Sequence, residues 1–133
     1  TRKGMTAAQR RTLRARFMNP TTPKPERIHH GACVGADEDF HDIARSAGIP
    51  VETWPGDIPD LRAPCLGYAE THEPMPCIER NHAFVNRSHG LVVAPAGYKE
   101  ARQSGTWATA RYAREQGKPV YVVWPDGKLE KWP

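Results

Sequence analysis

The chain has no apolar stretch approaching the roughly 20 residues that a bilayer-spanning helix needs, and no charged-then-apolar leader, so no membrane partner is expected. Aromatic residues are sparse at 8%, which leaves few platforms for stacking nucleic-acid bases. Cysteine is scarce and odd in number. Cys33, Cys65 and Cys77 suggest no disulfide framework, and a reducing, cytoplasmic setting fits them better. Internal repeats and low-complexity tracts are also missing. Acid is short relative to base, 15 Asp+Glu against 19 Lys+Arg, and the net charge of +4 agrees with an anionic partner. It does not separate a nucleotide from a polynucleotide.

At 133 residues one domain, 1–133, is expected, enough for a single sheet with helices on its faces. The most informative stretch is 80–109. Leu91-Val92-Val93-Ala94 is a short apolar run without alternation, which predicts a strand covered on both faces, and Pro95 stops it. A polar loop with Gly97 follows. Ser104 is a good helix N-cap for a helix over about 105–116, ended by Gly117. Free amides at a helix start favour an anion, and glycine lets a ligand approach the backbone closely, so Gly97, Ser104, Gly105 and Thr106 form a candidate phosphate site. A serine-capped strand-to-helix connection without a ligand accounts for the same local pattern.

Thr1-Arg2-Lys3-Gly4 reads as the loop after a strand, and a first strand is therefore expected ahead of this numbering. Thr6 and Gln9 form a capping-box pattern for a helix over 7–17 with Leu13 and Phe17 inward. Its Arg10, Arg11, Arg14 and Arg16 read as a solvated face, with DNA contact as the alternative. A short strand at 27–30 leads into Gly31 and Gly35 and a helix with Phe40, Ile43, Ala44 and Ala47 inward. Asp37 could cap that helix or bond a sugar hydroxyl. His29, His30, Cys33 and His41 match no zinc spacing, so neither metal nor cofactor is expected. A third strand over 49–54 precedes an irregular span, 55–76, with five prolines, read as a lid over the site. A helix over 77–87 carries Arg80 and Asn81, with Ile78, Phe84 and Val85 as core. A strand over 119–124, a turn, and an edge strand over 129–132 close the chain.

Four motifs occur in order: Thr1-Arg2-x-Gly4-Met5-Thr6, HHGACVGAD at 29–37, EPMPCIERN at 73–81 and VVAPAGYKEARQSGTWATARYA at 92–113. Together they resemble the SLOG superfamily of Rossmann-like domains. The closest likeness is to small bacterial and phage proteins of unassigned function, related to the "lonely guy" phosphoribohydrolases, molybdenum-cofactor carrier proteins and DNA-processing protein A. The resemblance implies an α/β fold, a three-layer, mostly parallel sheet with helices on both faces and a further strand near its middle. It also implies a homodimer.

By the same resemblance the phosphate-holding Gly-Thr helix start falls on Gly105 and Thr106, the helix arginine on Arg80, the glycine-rich turn on Gly31 and Gly35, and the early arginine on Arg2. The phosphoribohydrolase pattern requires a glutamate where this chain has Thr109, and a threonine cannot take up a proton as a carboxylate does. The first expectation is thus a module binding a nucleotide-like small molecule. The second is an N-glycosidic hydrolase using Arg80, Glu79 or Glu100, and the third is single-stranded DNA binding.

Overall fold

The computed structural model describes residues 1–133. In chain order the elements are α1 (Ala7–Met18), β1 (Ile28–His30), α2 (Ala36–Ser46), β2 (Val51–Thr53), β3 (Glu70–Thr71), α3 (Cys77–Arg87), β4 (Leu91–Val93), α4 (Gly105–Glu115), β5 (Val120–Val123) and β6 (Leu129–Lys131). The fold is α/β, as expected. Two three-stranded sheets form, β1-β2-β3 and β4-β5-β6, and every pairing is parallel except β5 with β6. No strand pairing joins the two sheets.

Side-chain alternation along the strands separates two cores. Val93, Val120 and Val122 pack with Trp54, Phe84, Val85, Trp107, Ala110 and Ala113, and so lie towards α3 and α4. Ala94 and Val123 point the other way, into a cluster with Leu13 and Phe17 of α1, Ile43 and Ala44 of α2, and Ile28 and Val51. Helices therefore cover both faces. α1 is also fastened to the second sheet. Its Thr6–Gln9 capping box forms as expected, and the fully buried Gln9 amide then donates to Pro95 O at 2.9 Å and Val123 O at 2.8 Å.

Three expectations change. The span 55–76 is not irregular throughout: it holds a 3-10 turn, Pro59–Leu61, and the short strand β3 beside β2. Val92, expected to be covered, is exposed, because α1 reaches this face only around Ala94 and Val123, and its cross-strand neighbour Tyr121 is exposed with it. Ile78, expected in the core, is 72% exposed, because Arg80 takes the inward position on the first turn of α3. At the other end of α3 the Lys118 ammonium donates to Val85 O, Asn86 O and Ser88 O at 2.6, 2.9 and 2.7 Å, meeting carbonyls at the helix end. All three cysteines are free, and no helix is long and apolar enough to cross a membrane.

Candidate functional site

Two strand-to-helix turns carry the residues singled out by sequence. At the first turn of α4, the only backbone bond to Ser104 O comes from Ala108 N, and no protein acceptor meets the amides of Gly105, Thr106 or Trp107. Ser104 occupies the N-cap position with extended backbone, but its hydroxyl makes no capping bond, contrary to expectation. No acidic residue lies in the first turn. A Cβ built at Gly97 or Gly105 would meet nothing within 4 Å, so the approach to these amides is open. Dipole and free donors together make this end attractive to an anion.

The β1–α2 turn is built differently. Gly35 has φ +98° because the backbone of Thr1 and Arg2 lies against it: a Cβ there would sit 2.5 Å from Arg2 O. Thr1 O accepts the Ala36 amide at 2.7 Å, so the chain's own carbonyl sits at the start of α2. Asp37, Glu38 and Asp39 fill the first turn. Asp37 is not the N-cap, since Gly35 holds that position; its carboxylate accepts the Cys33 amide at 3.2 Å. The Arg2 side chain is exposed.

Arg80 lies under this turn, 5% exposed. Nη1 donates to Gly31 O at 2.6 Å and Trp54 O at 3.1 Å, Nε to Asn81 Oδ1 at 2.7 Å, and Nη2 meets Cys33 Sγ at 3.4 Å. A Cβ at Gly31 would stand 2.5 Å from Nη1, so glycine at that position seats the guanidinium. Burial and the nearby Asp37 push the Cys33 thiol up. Gly31, Asp37, Arg80 and Asn81 are therefore brought together, and no hydrogen bond links them to Gly97, Ser104, Gly105 or Thr106. The span expected as a lid reaches the same turn. Ala63 N donates to Ala32 O and Val34 N to Leu61 O, so the 55–76 span packs on the β1–α2 turn.

The candidate carboxylates are not free at the α4 start. Glu100 is paired with Arg111 at 2.7 Å, while Arg111 also donates to Arg102 O and holds the loop to α4. Glu79 is exposed on the first turn of α3. Thr109, in the place of the expected glutamate, is buried and donates its hydroxyl to Gly105 O at 2.8 Å.

Two polar networks escaped sequence reasoning. Parallel register aligns His29, Glu52 and Glu70 in one row across β1, β2 and β3. Buried Glu52 receives Arg27 at 2.9 Å and His72 at 2.5 Å, and His72 stacks on Trp54 with centroids 3.5 Å apart. Burial pushes the Glu52 carboxyl up, but the bonds from His72 and Arg27 together hold it below its ordinary value. Glu52, Glu70 and His72 are spaced for a cation, yet Arg27 already bridges both carboxylates, at 2.9 and 3.1 Å. The signal available in sequence was the i, i+2 spacing of Arg27 with His29 and Glu70 with His72.

The other network is His30 and His41, grouped with Cys65. Ala32 N donates to His30 Nδ1, His30 Nε2 lies 2.9 Å from His41 Nδ1, and His41 Nε2 lies 2.7 Å from Leu66 O. The backbone donor at one end and the carbonyl at the other fix both rings as neutral, each with its proton on Nε2. A metal on His30 Nε2 would have to displace that proton. Burial lowers His30 to about 4 and pushes the Cys65 thiol up to about 12. An open groove of about 540 Å³ lies above, between Glu38, Asp42 and Arg45 of α2 and Pro64–Leu66, and includes none of the expected ligand residues. Compared with models of protein families, with curated proteins and with solved structures, the chain matches none.

Proposed function

We propose that the chain binds a phosphate-bearing small molecule of nucleotide type, with its phosphate on the amides of Gly105 and Thr106. The observation that carries this reading is the set of three unpartnered amides at a helix start without acid and with clearance at Gly97 and Gly105. The resemblance to SLOG domains points the same way, and pairing of subunits belongs to that reading. Arg80 clamps the ends of β1 and β2 through Gly31 O and Trp54 O and takes no part in holding the phosphate. Hydrolysis of an N-glycosidic bond gains no support, because Thr109 is turned into its own helix and Glu100 is held by Arg111.

Thermal melts with adenosine monophosphate, inorganic phosphate and adenosine, each at millimolar concentration, test the proposal. A ligand that binds only the folded chain raises its melting temperature, and the expected order is monophosphate, then phosphate, then no shift with adenosine. Thr106→Asp sharpens the test: a carboxylate at the helix start stabilises the free protein by about 0.5 kcal/mol while abolishing the monophosphate shift. Gly105→Pro keeps the helix, since Ser104 is already extended, and removes one donor. No shift with either phosphate compound, or an unchanged shift in both variants, rejects the site.

A further inference from the structure

The charge of this chain is divided along its length. Residues 1–25 contain seven lysines and arginines and no acid, whereas the remaining 108 carry twelve bases against fifteen acids. A segment of +7 thus lies on a body of −3, and the modest total of +4 hides the contrast. Most of the segment's cations are on α1 and the loop before it.

α1 is buried through Gln9, Leu13 and Phe17 alone. At 100° per residue, Arg14 falls between Arg10 and Arg11 in an outward arc of about 100°, and Arg16 lies on the opposite flank. Arg11, Arg14 and Arg16 are exposed, and Arg10 alone meets a carboxylate, Asp39, at 3.6 Å. Arg2 and Lys3, both exposed, precede the helix. The helix itself contributes no acid to offset these charges.

We infer that the outer face of α1 is a docking surface for the sugar-phosphate backbone of a nucleic-acid duplex, independent of the α4 site. Guanidinium groups pair with phosphate oxygens in fork geometry and are weakly hydrated, which suits this contact better than lysine would. The exposed side chains of the helix are alanine, arginine and methionine, so it offers no rings to stack on unpaired bases. That chemistry favours a duplex, with its charge every 1.7 Å or so, over a single strand. Binding is steeply dependent on salt.

Fluorescence anisotropy with a labelled 20-base-pair duplex, and with one of its strands alone, between 50 and 200 mM NaCl decides the matter. The duplex binds more tightly than the strand. Combined Arg11→Gln, Arg14→Gln and Arg16→Gln weakens duplex binding at least tenfold and lowers the slope of log affinity against log salt by about 3. A charge-matched control, Arg62→Gln with Lys99→Gln and Lys131→Gln, exposed positions elsewhere, leaves both values within twofold. Circular dichroism melts check that both triple variants stay folded. Equal loss in the two triples would reduce the effect to net charge and overturn the surface, and absence of duplex binding at 50 mM salt would do the same. Equal binding of the single strand would overturn the duplex as its partner.

Discussion

The starts of α2 and α4 are topologically alike, each following a parallel strand through a glycine-bearing turn, yet they are electrostatic opposites. At α2 three carboxylates fill the first turn and Thr1 O sits on the Ala36 amide. At α4 there is no acid, and three amides have no acceptor. A helix dipole is the same in both places, so what surrounds it decides whether an anion is welcome. The glycines differ in the same sense. Gly31 and Gly35 are small because protein atoms crowd them, and Gly97 and Gly105 face open space. A glycine in a loop marks close approach without saying what approaches.

Breaking the α2 side should have the largest effect. Arg80→Leu leaves Gly31 O, Trp54 O and Asn81 Oδ1 without their donor, and a loss of about 3 kcal/mol is expected in urea unfolding. The thermal shift produced by adenosine monophosphate should survive in the remaining folded protein, since the α4 amides do not depend on those bonds. If Arg80→Leu were as stable as the parent, the clamp would have no energetic meaning.

Acid sharpens the comparison next. His30 is held neutral and lowered to about 4, below the 6.5 of a free histidine. The unfolded chain therefore binds a proton that the folded chain refuses between those values, so stability is full above pH 6.5 and falls as pH drops towards 4. The expected loss is about 3 kcal/mol, and His30→Gln should flatten that part of the profile. The protection of the Ala32 amide, which donates to His30 Nδ1, relative to an unstructured peptide at the same pH should fall over the same range by more than that of Thr109 N–H in α4. A profile identical in parent and variant would remove His30 as the cause.

The smallest effects concern the caps. Thr6 makes its capping bond and Ser104 does not, so Thr6→Ala is expected to cost about 1 kcal/mol and Ser104→Ala almost nothing. Equal losses in thermal melts would show that the Ser104 hydroxyl does meet its helix in solution.

Much of this was legible in the sequence, because helices announce themselves through local chemistry. The Thr6–Gln9 box, the stripe of Ile43, Ala44 and Ala47, and Gly48 and Gly117 beyond two helix ends place α1, α2 and α4 to within a residue or two. α3 runs over the expected residues, 77–87. β3 was not legible: two exposed residues, Glu70 and Thr71, carry no hydrophobic period, and five prolines in 55–76 mask them. Nor could a linear reading pair Glu52 with His72 and Arg27, or His30 with His41, because those contacts depend on which strands lie side by side. At the candidate site the residue types were readable and their grouping was not. Arg80 and Gly105 both stood out, but only three dimensions showed Arg80 engaged with Gly31 O and Trp54 O.

Lys118 has one consequence beyond the end of α3. With each of its three protons directed at a carbonyl, of Val85, Asn86 and Ser88, its nitrogen offers no lone pair to an electrophile until it leaves that nest. Of the chain's lysines it should be the slowest to acylate, and once acylated it could no longer return to all three oxygens. Covalent labelling at this position would therefore act as a ratchet, trapping the opened end of the helix.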